Sequence, residues 1–207
     1  MAMYRGERFN SISHLAGAGL ATVGAAVLIT IASRLGDPWK IVSFAIYGAA
    51  LVALYVFSTL YHSLRGRAKQ VLRKFDHCSI YFLIAGSYTP FALVSLRGAW
   101  GWTLLGLIWS LALLGMLQEI WLAKGARVLS LVIYGVMGWL ALIAVTPLRQ
   151  ALTPAGFTWL LAGGLCYTAG ILFYATDHKV RHGHGVWHLF VMGGSACHFV
   201  TVLLYVA

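Results

Sequence analysis

Three histidines are the residues in this chain whose type and spacing point most directly to chemistry. His184 and His188 stand four residues apart in the segment HGHGVWHLF, and His62 falls near the end of the segment FSTLYHS. Residues four apart lie on the same face of a helix, one turn from each other. Three neutral imidazoles form a familiar zinc shell that keeps a fourth position for water. The spacing therefore favours a metal site, and histidines solvated separately near lipid headgroups remain the alternative.

Two further side chains are candidates for the same site. Ser58 precedes His62 by one helical turn, and Asp76 begins a later apolar segment. Asp76 would either bind the metal directly or orient a water molecule on it, and Ser58 would donate a hydrogen bond to a substrate oxygen or to the metal's ligands. Zinc lowers the pKa of a bound water to about 7, which supplies a nucleophile at neutral pH. Asn10 and His14 are expected to support the site from the start of the first segment.

The elements that must position these residues are helices that cross a membrane. The chain is 60% hydrophobic and only 10% charged, whereas soluble domains carry about 25% charged residues. A spanning helix needs about 20 mostly apolar residues. These features predict an all-α, seven-helix transmembrane bundle that forms a single domain over residues 1–207. The predicted spans are 12–34, 39–63, 75–96, 100–121, 127–146, 155–176 and 185–206.

The distribution of basic residues predicts how the bundle is oriented. Seven spans place the two termini on opposite sides, and eleven of the 15 lysines and arginines fall on the side of the N-terminus. The positive-inside rule then puts the N-terminus in the cytoplasm and the C-terminus outside. The net charge of +10 is explained by these short loops, which contact anionic lipid, so nucleic acid is excluded as a partner. The expected partners are membrane lipids, and the sequence leaves the oligomeric state open.

Prolines and glycines predict where the spans bend or end. Pro90 lies inside the third span and should kink it, because proline removes a backbone hydrogen bond. Pro147 and Pro154 bracket the predicted loop between the fifth and sixth spans, and Gly125 is expected to end the fourth.

The remaining buried polar residues are given structural roles. His198 lies too far along the last helix to reach the same ion, and it is expected to form a hydrogen bond inside the bundle. His77 is expected at the membrane interface. Glu119 is expected to pair with Lys124 or Arg127, without a catalytic role.

Three motifs carry a resemblance to a known family. They are SxLYHS at 58–63, FDHCSIYFLIAGSYTPF at 75–91 and HGVWHLFVMGGSACHF at 184–199. Together they resemble the bacterial hemolysin III family, the prokaryotic branch of the progestin and adiponectin receptor superfamily, which is related to the alkaline ceramidases. The resemblance extends from the first span to the last.

The resemblance implies a role for each candidate residue. The family's zinc histidines match His62, His184 and His188, its serine matches Ser58, and the aspartate that holds the zinc-bound water matches Asp76. It also implies zinc as the cofactor, a zinc position near the cytoplasmic side, and a place in the bacterial inner membrane. Gly185 departs from the bulkier residue expected between the two histidines of the last helix.

Three functions follow from these residues and from the resemblance. The first is a zinc-dependent hydrolase of lipid amide or ester bonds, similar to a ceramidase and acting in membrane lipid homeostasis. The second is a membrane sensor or receptor-like protein, without enzymatic activity, in which zinc is structural. The third is the pore-forming cytolysin that the family name suggests. It ranks last because the ionisable groups gather at one surface and do not line a full crossing.

Overall fold

The computed structural model describes residues 5–122 and 127–207, and this part of the chain is helical, without strands. Seven of its helical segments are long and apolar enough to cross a membrane, which confirms the predicted all-α, seven-span architecture. The helices are α1 Arg8–Leu35, α2 Pro38–Ser63, α3 Gly66–Pro90, α4 Ala99–Trp121, α5 Arg127–Trp139, α6 Val145–Ala151, α7 Pro154–Ala175 and α8 Gly183–Tyr205. The end of the bundle at which α1 begins is called the N-terminal face below.

The fifth span is broken in its middle. A 3-10 segment, Leu140–Ala144, separates α5 from α6, and the three pieces together form one crossing. The predicted loop starting at Pro147 is wrong, because Pro147 is the third residue of α6. The first four N–H groups of a helix have no partner within it, so a proline is tolerated there. The connection to α7 is only Leu152 and Thr153, and the Thr153 hydroxyl caps α7 by accepting from Gly156 N at 3.2 Å.

Tyr88 satisfies the backbone at this break. Its hydroxyl lies 2.8 Å from the carbonyl oxygen of Met137 and 2.9 Å from that of Gly138, and it accepts from the N–H of Ala141 at 2.9 Å. Unpaired backbone groups are costly inside a bilayer, so an interrupted helix needs partners from its neighbours. A tyrosine on α3 therefore makes the break in the fifth span tolerable.

At Pro90, where a kink is predicted, the hydrogen-bond pattern changes. α3 continues as a π-helical segment over Phe91–Ser95, and Leu96 N donates to Phe91 O at 2.8 Å, five residues back. Such wide turns are a common response to a residue that interrupts the regular ladder. At its other end α3 begins at Gly66, nine residues before the predicted span, and this added part carries much of the basic charge of the N-terminal face.

Small residues allow the spanning helices to approach closely. A methyl group at Gly48 of α2 would overlap the Ala25 side chain of α1, and one at Gly115 of α4 would overlap the ring of Tyr81 on α3. Close approach at glycine is a common way to pack helices in a membrane. α1 packs against both α2 and α8, and so the end of α2 and the start of α8 meet at the N-terminal face.

This packing predicts that Gly115→Val lowers stability. Valine would push against the fully buried Tyr81 ring, and overpacking of this kind costs about 1–3 kcal/mol. Gly106→Val is the matched control, since Gly106 lies on the same helix and a methyl group there meets no atom within 4 Å. The apparent melting temperature of the purified protein in detergent should fall for Gly115→Val only. Equal melting temperatures for the two variants would contradict the packing described at Tyr81.

Candidate metal centre

The structure brings the three predicted histidines together at the N-terminal face. His62 lies in the last turn of α2, and His184 and His188 lie in the first two turns of α8. One ring nitrogen from each lies within 4.8 Å of one from each of the others, and the ring centroids are 4.9–5.0 Å apart. The glycines that flank His184 do not disturb the helix, so the spacing of four residues places both rings on one face. These three side chains can bind a metal ion.

Two of the histidines are oriented by carboxylates. His62 Nδ1 donates to Glu7 Oε2 at 2.6 Å, and His184 Nδ1 donates to Asp177 Oδ2 at 3.1 Å. A carboxylate oxygen can only accept, so Nδ1 carries the hydrogen in both rings and Nε2 keeps its lone pair. Hydrogen bonds of this kind fix the ring and raise its basicity in known metal sites.

The third histidine is oriented by the backbone of α1. His188 Nδ1 donates to the carbonyl oxygen of Asn10 at 3.2 Å, and the Ser13 hydroxyl lies 3.3 Å away. The His14 ring stacks on His188 with centroids 3.6 Å apart and planes within 11°. Asn10 and His14 thus lie where the sequence predicts support for the site, and Asn10 contributes both its backbone oxygen, to His188, and its side chain, to Glu7.

The Nε2 atoms of all three histidines are buried and have no hydrogen-bond partner. A buried polar atom without a partner costs about 1–3 kcal/mol, so three such lone pairs on neighbouring rings need an explanation. A single cation between them would satisfy all three. Three imidazoles suit zinc and similar borderline divalent metals, and the donor set therefore fits the metal expected from the sequence.

Glu7 holds the N-terminal segment over the site. Besides His62, its carboxylate accepts from Lys69 Nζ at 2.9 Å and from Asn10 Nδ2 at 2.7 Å. Burial would raise the pKa of Glu7, but hydrogen bonds from His62, Lys69 and Asn10 outweigh burial and hold this pKa well below its ordinary value. Glu7 is therefore ionised at neutral pH, and it can balance part of the charge of a bound cation.

Gly185 makes room for this segment. A side chain there would overlap the ring of Phe9, which lies just beyond Glu7 in the chain. Phe9 also contacts the ring of His182 edge to face. The glycine that departs from the expected bulkier residue is thus required by the packing of the N-terminal segment against α8.

Asp76 and Ser58 form a buried pair beside the histidines. The two residues are 6% and 2% exposed, and the Ser58 hydroxyl lies close enough to the Asp76 carboxylate to interact with it. Asp76 does not belong to the group whose ligand atoms all lie within 4.8 Å of one another. This separation suits a carboxylate that acts through an intervening water better than one that binds the ion directly.

Asp76 also opens onto a cavity in the bundle. This first cavity has a volume of about 120 Å³ and lies between α3, α5, α7 and α8. Asp76 and His14 line it at the level of the histidines, and aliphatic and aromatic side chains such as Leu83, Ile171 and Val191 line most of the rest. The first cavity is therefore polar at the end next to the histidines and mostly apolar elsewhere.

The half-buried His77 and the buried Glu119 form a second pair outside the site. His77 Nδ1 donates to Glu119 Oε1 at 2.6 Å, and the Ser130 hydroxyl donates to the other carboxylate oxygen at 2.9 Å. His77 stays predicted at the membrane interface, and the structure adds a partner for it, because the buried carboxylate on the next helix needs a donor. The partners predicted for Glu119, Lys124 and the side chain of Arg127, lie outside the part of the chain that the structure describes.

His198 has the structural role expected for it. Its Nε2 donates to the carbonyl oxygen of Leu160 at 3.2 Å, on the neighbouring α7. Sequence reasoning missed Glu7 and Asp177, which orient two of the three histidines. The scarcity of acidic residues was the available signal: the chain has five, of which Asp177 falls shortly before the segment that carries His184 and His188, and Glu7 falls just before the first span.

Comparison with known proteins gives consistent matches along the chain. Residues 3–199 match the family described as haemolysin-III related. Hemolysin-3 of Bacillus cereus is 44% identical over 201 residues, which cover 97% of this chain and 91% of that protein. The Hemolysin-3 homolog of Bacillus subtilis (strain 168) is 46% identical, covering 96% and 93%. The human monocyte to macrophage differentiation factor is 32% identical, covering 89% and 78%.

The three unpartnered nitrogens predict that the purified protein binds about one divalent metal ion per chain. His62→Ala should lose this metal, because it removes one of three converging donors. His178→Ala is the matched control, since His178 is exposed in the loop before α8. Metal content by mass spectrometry after dialysis against zinc checks the prediction. Metal-free wild-type protein, or full retention by His62→Ala, would contradict it.

The bond from His62 to Glu7 predicts that Glu7→Gln weakens metal binding without removing a ligand. Loss of an orienting carboxylate typically costs about 10–100-fold in metal affinity. Glu119→Gln alters the other histidine–glutamate pair, which has the same 2.6 Å bond but lies outside the site. Competition with a zinc chelator should show weaker binding for Glu7→Gln alone, and equal affinities of the two variants would argue against the orienting role.

Proposed function

The chain belongs to the haemolysin-III related family, and we propose that it is an integral-membrane, zinc-dependent hydrolase of lipid amide or ester bonds. The observation that carries the proposal is the position of three converging imidazole nitrogens beside a buried carboxylate that opens onto an apolar cavity. A ceramidase-like reaction in membrane lipid homeostasis needs this combination. A polar centre must cut the bond, and an apolar space must hold the chain attached to it.

Each residue of the site is assigned a part in this reaction. His62, His184 and His188 would hold the metal, and the partners of their Nδ1 atoms keep the three Nε2 atoms directed toward its position. A zinc ion bound there would supply a Lewis acid with a free position for water, whose pKa it would lower to about 7.

Asp76 accepts the proton of the attacking water and returns it to the leaving amine or alcohol. Ser58 donates to Asp76 and so fixes the rotamer of this carboxylate, or it turns its hydroxyl to a substrate oxygen. Both side chains are withdrawn from bulk solvent, which strengthens hydrogen bonds to them.

The first cavity supports a lipid as the substrate. Its walls are mostly apolar, and its polar end carries Asp76 and His14. An acyl chain in this space would leave water or mobile lipid for a fixed site, with its carbonyl group at the level of the histidines. We further propose that the N-terminal face is cytoplasmic, because most of the lysines and arginines lie on that side. The enzyme would then act at the inner leaflet of the bacterial cytoplasmic membrane.

A second candidate is a sensor or receptor-like protein in which zinc is structural. The contacts that favour it are those of α1, because Asn10 and Ser13 of α1 hold His188 of α8, which faces His62 of α2. A metal that bound only this folded arrangement would stabilise the bundle without chemistry. The third candidate, a cytolysin, rests on the name Hemolysin-3 of the relatives. Conductance of pure bilayers containing the protein tests it.

The hydrolase proposal predicts metal-dependent release of fatty acid from ceramide or from another acyl lipid in a defined panel. Asp76→Asn should lower the rate by about 100-fold or more, because general acid–base catalysis contributes about 10²–10⁴. Asp37→Asn is the matched control: Asp37 caps α2 at the opposite end of the bundle, and asparagine caps a helix equally well. His188→Ala should abolish release.

The outcomes of this experiment separate the candidate functions. Turnover that Asp76→Asn loses and Asp37→Asn keeps supports the hydrolase. Zinc-loaded protein that melts higher than metal-free protein but cleaves no lipid in the panel contradicts the hydrolase and favours the structural role.

A further inference from the structure

A second cavity continues the first toward the opposite end of the bundle. It has a volume of about 90 Å³, and residues from α3 to α7, among them Phe91, Leu148 and Phe157, line its far part. Six residues line both cavities and form what is called the neck here: Ser87, Tyr88, Gly138, Trp139, Gly164 and His198. The neck lies about 15 Å along α8 from His188, because ten residues separate His188 from His198.

The two glycines keep the neck open. A methyl group built on Gly138 or on Gly164 meets no atom within 4 Å. Glycines in membrane helices usually mark close contact, as Gly48 and Gly115 do in this protein. At these two positions the absence of a side chain instead leaves space at the junction of the two cavities.

Most of the polar side-chain atoms of the neck form hydrogen bonds with the protein. The Ser87 hydroxyl donates to Ile84 O at 2.8 Å, and His198 Nε2 donates to Leu160 O at 3.2 Å. Trp139 Nε1 donates to the Thr168 hydroxyl at 3.1 Å, and the Tyr88 hydroxyl is bonded to the broken backbone of the fifth span. His198 Nδ1 is buried without a hydrogen-bond partner, and because the other groups are satisfied, the neck suits a passing hydrocarbon chain better than a strongly polar one.

We propose that the neck determines which acyl chain length this protein binds. The inference rests on the proposed function, since it takes the carbonyl group of the lipid to lie at the histidines. A short chain would end within the first cavity, and a long chain would pass between Gly138 and Gly164 into the second. A larger side chain at either glycine would close the neck and shorten the preferred chain.

The magnitude follows from the burial of methylene groups. Each buried methylene improves binding by roughly fourfold, and each one excluded from the second cavity loses that factor. Exclusion of only two methylenes would therefore weaken a long chain by more than about tenfold. A chain short enough to end before the neck would bind unchanged.

The test measures binding of a series of saturated fatty acids to the zinc-loaded protein in detergent. The series runs from octanoate through dodecanoate and palmitate to stearate, and competition against a labelled fatty acid gives the affinities. The variants are Gly164→Leu and Gly138→Leu, with Gly164→Ala as a smaller step. Gly106→Leu is the matched control, because Gly106 also has open space around it and lines neither cavity. Size-exclusion chromatography and melting temperature establish that each variant is folded.

The expected result is a selective loss of the long chains. Gly164→Leu and Gly138→Leu should weaken stearate and palmitate about tenfold or more relative to octanoate, Gly164→Ala should do so less, and Gly106→Leu should match the wild type. If Gly164→Leu does not fold, the Gly138→Leu and Gly164→Ala variants decide the question. A chain-length profile unchanged in every folded variant would overturn the proposal, and so would failure of the wild type to bind any of the acids.

Failure of the proposed function gives a different result. If the protein cleaves no lipid but the neck variants shift its chain-length profile, the proposal for the neck stands and the proposed hydrolase activity is contradicted. If the protein releases fatty acid and the neck variants cleave short-chain and long-chain lipids in the same ratio as the wild type, the hydrolase proposal stands and the proposal for the neck is contradicted.

Discussion

The need to partner every buried polar atom inside a membrane governs this structure. Three imidazoles meet at the N-terminal face with their Nδ1 hydrogens committed to Glu7, Asp177 and Asn10 O, and their Nε2 lone pairs are left without partners. In lipid the nitrogen atoms cannot turn to water, so the cost remains until a cation binds. The N-terminal segment, the glycine at 185 and the stacked ring of His14 all serve to keep the three rings in this arrangement.

The acidic residues are subject to the same constraint. The chain has only five, and four of them lie at the N-terminal face, where each has a polar partner: Glu7 with His62, Asp76 with Ser58, Glu119 with His77 and Asp177 with His184. The fifth, Asp37, caps α2 at the far end. A carboxylate is costly in this environment, so each one is placed where it orients a side chain or ends a helix.

The seven spans and the histidine cluster could be predicted because they depend on patterns that are visible in the sequence itself. Runs of apolar residues predict the helices. Because consecutive spans run in opposite directions, His62 and the histidine pair on α8 come to the same face of the bundle. The bond partners of the histidines could not be predicted, since they depend on which ring nitrogen turns toward which neighbour. The break in the fifth span was missed because Tyr88, which satisfies it, lies on another helix. The need for glycine at position 185 could not be predicted, because the side chain that requires the space, Phe9, lies near the other end of the sequence.

The site is assembled from the two ends of the described chain. His188 on α8 is held by the backbone of α1, and His62 is held by a residue that precedes α1. During synthesis the N-terminal half of a chain emerges and inserts first. Glu7 and His62 are therefore in place before the last helix, which carries the other two imidazoles, is inserted. A metal ion held by all three histidines could therefore bind only after the last helix is in place, and a bundle that has lost or misplaced this helix would keep only one of the three ligands.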